Sequence, residues 1–89
     1  MKAIMTVTGI DHTGIIAAVA NACADQNANI TNVSQTLMGS YFTMIMQLEL
    51  DDAPTSLTNL QEAMTEVEQS QNLEIRVQSE AIFNVMHTL

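Results

Sequence analysis

Residues 41–50, YFTMIMQLEL, put Phe42, Met44, Met46, Leu48 and Leu50 on one face of an extended chain. Thr43, Gln47 and Glu49 fall on the other face, with Ile45 the exception. Alternation of this kind is the pattern of a strand with one buried side and one wet side. It commits the chain to a sheet covered on a single face, and the remaining 79 of its 89 residues must supply both the other strands and the cover.

Lys2 to Thr8, KAIMTVT, is short, rich in β-branched residues and stopped by Gly9, so it reads as a strand. From Gly14 to Gln26 the apolar residues Ile15, Ile16, Val19, Ala20 and Cys23 recur at helical spacing, and DQNAN ends the run. Residues 28–37 form a more polar strand, with a turn at Gly39 before the alternating run. DDAPTS then breaks the pattern, with Pro54 where a first helical turn tolerates it. Leu57, Leu60, Met64 and Val67 mark the stripe of a second helix, whose Glu62, Glu66 and Glu68 fall on the solvated side. Residues 72–78, NLEIRVQ, alternate again with Leu73, Ile75 and Val77 inward. In the tail, residues 79–89, Ser79 can cap a last helix carrying Ile82, Val85, Met86 and Leu89.

The order strand, helix, strand, strand, helix, strand is that of a split βαβ unit. Right-handed crossovers set the first two strands parallel to each other, and likewise the last two, while strands two and three make a hairpin at Gly39. The chain lacks the apolar residues for a three-layer sandwich, so both helices must cover the same face. The expectation is an α+β, ferredoxin-like βαββαβ sandwich in one domain, 1–89: an antiparallel four-stranded sheet, two helices on one face and a short C-terminal helix. The other face is expected to be bare and to carry Ile4, Thr6, Ile45 and Val33. That face, or an apolar edge strand, is where a second copy would dock.

A domain of this size buries only about two-thirds of the surface its unfolded chain exposes, which favours a homodimer as a source of added stability. Charged residues are only 13% of the chain, which leaves much of the surface neutral or apolar. The net charge is −8, and the cations are Lys2 and Arg76, so neither nucleic acid nor an anionic membrane is an expected partner. The lone Cys23 points to a reducing, cytoplasmic compartment. No apolar run reaches the roughly 20 residues of a membrane helix.

Four uses of this fold can be checked against the residues. A metal-delivery domain needs paired cysteines in the first loop, and GIDHTGI has none. A small acyl-phosphate hydrolase wants a phosphate-clamping Arg there, whereas the one Arg is Arg76. An RNA-reading sheet needs stacking aromatics with basic flanks, and Tyr41, Phe42 and Phe83 are all this chain offers. Binding a small molecule beside the first loop is the use that remains. No nucleophile stands with a base, no paired carboxylates line a cleft-forming element, and two histidines without ligand spacing make no metal site. Neither catalysis nor a cofactor is expected. Met44, Met46 and Met64 fall on core faces as gap-fillers.

The stretch GIDHTGIIAAVANACADQNANI resembles the opening of an ACT domain, the small-molecule-sensing module attached to many enzymes of amino-acid metabolism. In that family a strand enters an Asp/Asn-x-x-Gly turn, a helix comes next, and an A/V-N-I segment opens the second strand. Asp11 to Gly14 and Ala28-Asn29-Ile30 match these parts. SQTLMGSYFTMIMQLEL and the tail IFNVMHTL are similar to short stand-alone bacterial ACT proteins, relatives of the ACT halves of glycine-cleavage repressors. Thr13 stands where many ACT loops carry Pro.

The resemblance implies a regulatory amino-acid-binding module whose ligand lies between two subunits, against Asp11, His12, Thr13, Gly14, Ile15, Asn29 and Ile30. The chemistry of the loop agrees. Free N–H groups at a helix start favour a carboxylate, Asp11 can accept from an ammonium group, and Asn29 can donate and accept. Each residue also has a plainer role: Asp11 or Thr13 as helix cap, His12 as a surface imidazole, Gly14 for turn geometry. A ligand-free interaction module, associating through its sheet with another protein, is the alternative.

Overall fold

The computed structural model describes residues 1–87. Its elements are β1 (Lys2–Ile10), α1 (Ile15–Asp25), β2 (Asn29–Met38), β3 (Tyr41–Glu49), α2 (Ser56–Gln71), β4 (Leu73–Ser79) and α3 (Glu80–His87). The strands form one sheet in the order β2-β3-β1-β4, with every neighbouring pair antiparallel. β1 and β2 therefore run parallel without touching, as do β3 and β4. This is the expected ferredoxin-like arrangement.

Two asparagines explain how the chain leaves its helices. Asn27 and Asn72 both adopt φ 55°, the left-handed conformation that asparagine tolerates and that ends a helix cleanly. The Asn72 N–H donates to the Glu68 carbonyl, and β4 begins at the next residue. α2 starts at Ser56, so Pro54 lies in the turn before the helix and outside its first turn. β1 runs two residues past the expected Thr8, because Gly9 and Ile10 still pair with Phe42 and Tyr41.

The core lies between the sheet and α1 and α2. β1 contributes Ala3, Met5 and Val7, β3 contributes Phe42, Met44, Met46 and Leu48, and β4 contributes Leu73, Ile75 and Val77. Ile15, Val19, Cys23, Leu60 and Met64 meet them from the helices. Ile16, by contrast, is exposed. Cys23 is buried, and burial pushes its thiol up to about 11, which makes it unreactive at neutral pH.

The second face is not bare. Ser79 caps α3 by accepting from the Ile82 N–H at 3.3 Å, and α3 folds back over β1 and β4. Ile4 is buried on that side, while Ile45 stays partly exposed. Ile82 and Val85 of the expected apolar stripe point outward, and the Met86 side chain is not among the described ones. Leu89 lies outside the described residues. Val33 also departs from expectation: it pairs with Met46, which places it on the helix side.

The two edges of the sheet differ. On β4, the Ile75 N–H donates to Glu68 Oε2 at 2.7 Å and Gln61 Nε2 donates to the Val77 carbonyl at 2.7 Å. Side chains of α2 thus occupy that edge. β2, the other edge, is exposed at every residue except Ile30 and carries neither a charge nor a proline, the usual guards against pairing with another strand.

Candidate functional site

The first loop is held from two sides. The Asp11 N–H donates to the Ser40 carbonyl at 2.8 Å, which ties the end of β1 to the β2–β3 hairpin. The His12 ring lies between two main-chain carbonyls, with Nδ1 at 3.1 Å from that of Thr13 and Nε2 at 2.9 Å from that of Gln71. His12 therefore positions the loop against the end of α2. A neutral imidazole can donate to only one of the two carbonyls, and an imidazolium can serve both.

Gly14 is the first residue of the α1 cap, at φ 95° and ψ −1°. A Cβ at this position would meet nothing within 4 Å, so glycine is needed for its backbone conformation and the space before it is open. Gly14→Ala is expected to lose about 1–2 kcal/mol, the cost of a left-handed L-residue, with no steric penalty added. Urea unfolding monitored by circular dichroism measures it. A change under about 0.5 kcal/mol, the size of a neutral surface substitution, would show that the loop relaxes.

Neither Asp11 nor Thr13 caps α1; the cap carries no side-chain hydrogen bond. The chain reaches the helix through Gly14 in a left-handed turn, which takes both side chains away from the first-turn amides. Those amides are left without a side-chain acceptor, and Asp11, His12 and Thr13 are all exposed. Ile15 is buried in the core, so only its amide can face a ligand.

The structure brings Asp11, His12, Thr13, Gly14 and Ile15 together and sets Asn29 and Ile30 apart from them. Asp11 is anchored beside Tyr41 at one end of β3, whereas Asn29 pairs with Glu49 at the other. Eight strand steps at about 3.4 Å each separate the two by about 27 Å. The reason is topological: α1 carries the chain back along β1 before β2 begins. One chain therefore cannot bring Asp11 and Asn29 to the same small ligand.

Sequence reasoning missed an apolar collar around the loop. Ile10, Ile16, Leu37, Met38 and Tyr41 are all more than half exposed. Tyr41 pairs with both Ile10 and Met38, so these three adjoin across β1, β3 and β2. Among the described residues no cluster of His, Cys, Asp or Glu could hold a metal ion, and no helix is long and apolar enough to cross a membrane.

The model of the ACT domain family matches residues 2–78. The chain belongs to the ACT domain family. It is 57% identical to the UPF0237 protein of Corynebacterium diphtheriae, an alignment that spans 100% of both chains. An ACT domain protein from Streptococcus pneumoniae is similar in structure, with a TM-score of 0.80, 37% identity, and coverage of 100% of this chain and 97% of that one. A candidate glycine cleavage system transcriptional repressor shares the fold, with a TM-score of 0.75 and 21% identity over 86% of this chain and 44% of the other. ACT domains are typically regulatory, ligand-binding modules.

Proposed function

We propose that this ACT domain is a non-catalytic, cytoplasmic amino-acid sensor that works as a homodimer. The observation that carries the reading is the loop at Gly14, where unfilled α1 amides and an exposed Asp11 adjoin open space. An α-amino acid brings a carboxylate for the amides and an ammonium for Asp11. Both ring nitrogens of His12 face main-chain carbonyls, which suits a positioning role better than proton transfer.

The 27 Å gap supports the dimer. Antiparallel self-pairing along β2 reverses the direction of the second sheet, so the Asn29 end of one copy meets the loop end of the other. A register centred on Gln35 sets Val33 against the partner's Leu37, on the helix side of a continuous sheet. The same register pairs Asn32 with the partner's Met38, the last residue of β2, so Asn29 extends past it alongside the hairpin turn whose Ser40 anchors Asp11. The ligand site is then built from the loop of one protomer and Asn29 and Ile30 of its partner.

Isothermal titration against the twenty common amino acids tests this. At least one should bind tighter than millimolar, and Asp11→Ala and Asn29→Ala should each weaken it about tenfold, the loss of one charge-assisted hydrogen bond. A panel with no ligand in that range removes the sensor reading. The exposed apolar collar favours a second reading, a ligand-free module that docks on another protein. A defined one-to-one complex formed without any metabolite is the result that would support it.

A further inference from the structure

The open face of the sheet and α3 enclose a cleft of about 290 Å³, near the lower end of the roughly 300–1,000 Å³ range of small-molecule sites. It lies on the opposite face of the sheet from α1 and α2. Ile4, Ile45 and Phe83 supply its apolar walls, and Asn32 and Gln47 supply amide groups. Ile4, Gln47 and Asn32 form one cross-strand row on β1, β3 and β2. Glu80, in the first turn of α3, is the one ionisable residue among the described residues lining this cleft. A second cleft of about 260 Å³, with Lys2 and Glu49 in its wall, shares Gln47 and Glu80 with the first.

We propose that the cleft between α3 and the open face of the sheet is a second small-molecule site, which takes a compact primary amine in its ammonium form. Glu80 is half-buried, and it stands outside the ion pairs of the described residues, which join Asp52 to the N-terminal ammonium and Glu74 to Arg76. Lys2 lines the adjoining cleft without forming an ion pair with Glu80, and a partly desolvated carboxylate that is not ion-paired favours a cation that can also donate hydrogen bonds. The ammonium of the ligand sits at the wall formed by Glu80 and Gln47. Its short apolar body lies on Ile4, Ile45 and Phe83. Among the described residues an anion meets no cation in this cleft, and it faces the field of a chain with net charge −8.

The test is an amide-resolved NMR titration of the full chain at neutral pH with three probes of one size: n-butylamine, n-butanol and butyrate. Butylamine is expected to shift the amides of Ile4, Gln47 and Glu80 saturably, and neither of the other two to do so. Glu80→Gln should weaken the amine about tenfold with no change in thermal midpoint, because one charge-assisted contact is lost. Equal shifts from butanol, no saturable shift with butylamine, or an unchanged affinity in Glu80→Gln would overturn the proposal. Should that variant fold poorly, the three-probe comparison on the unaltered chain decides alone. Shifts confined to residues 11–16 would also overturn it, while leaving the amino-acid site at the first loop standing.

Discussion

A Val33→Glu/Leu37→Glu double variant is expected to be folded and monomeric, with the dimer dissociation constant raised about a hundredfold or more. Val33 and Leu37 lie on the helix side of β2, opposite Met46 and Phe42, yet they are 46% and 58% exposed where their partners are buried. Within one protomer they touch little, so surface substitution there should move stability by only about 0.5 kcal/mol. Across a two-fold centred on Gln35 they face one another, and the variant sets carboxylates directly opposite carboxylates twice over. Like charges so placed cost several kcal/mol. On the proposed dimer, amino-acid binding should fall with association, since Asn29 would arrive from the partner. Two glutamates on the wet side of α2, at Thr58 and Gln69, add the same charge and should leave association unchanged. Sedimentation velocity across a concentration series reads both. A variant as dimeric as the unaltered chain would place the contact elsewhere, either on the collar or on the open face.

Most of the fold is legible in the residues because the sheet buries one face. In β3 the alternation of Phe42, Met44, Met46 and Leu48 is unbroken, and burial tracks it residue for residue. β2 shows where such reading weakens. An edge strand exposed on both faces has no hydrophobic pattern to fix its register, and a bulge between Ile30 and Asn32 shifts the parity of the strand beyond it. That shift is why Val33 lands on the helix side. Glu68 and Gln61 are a different kind of miss. Helical spacing puts Glu68 on the solvated side, which says nothing of its reaching around to the β4 backbone.

The candidate site is legible as a loop and not as a constellation. The Asp-x-x-Gly turn is where the resemblance places it, at the start of α1. Capping by Asp11 or Thr13 fails because it assumes an extended residue before the helix, and Gly14 enters left-handed. His12 has a partner 59 positions away, at Gln71, which no local pattern can show. Asn29 is the most instructive case. The A-N-I segment is correctly the opening of β2, yet a βαβ crossover necessarily puts that opening at the far end of the sheet from the first loop.

Leu60→Ala should cost about 2–5 kcal/mol, the range for emptying a packed leucine site. Leu60 is 0% exposed, and Leu60 and Met64 are the only residues of the 16-residue α2 that are fully buried. Leu57 and Val67 of α2 pack against the core only partly buried, so the substitution empties one of the two sites that anchor the helix most deeply. Domain stabilities of about 5–15 kcal/mol put this variant close to unfolding near its midpoint. A second effect arises from the side chains that α2 carries. Gln61 and Glu68 occupy the β4 edge, so a loosened helix frees the Ile75 N–H and the Val77 carbonyl for another strand. With β2 already open, a protomer with two free edges no longer closes at two copies and can grow as a continuous sheet. In moderate urea the Leu60→Ala chain should therefore form species larger than a dimer, which light scattering detects, while the unaltered chain does not. The double glutamate change on β2, added to Leu60→Ala, should block that growth, because strand addition then lacks one of its two surfaces. Self-pairing of β4 would close at two copies once β2 is blocked, so growth that persists in the combined variant would mean that the chains associate through surfaces other than these two edges.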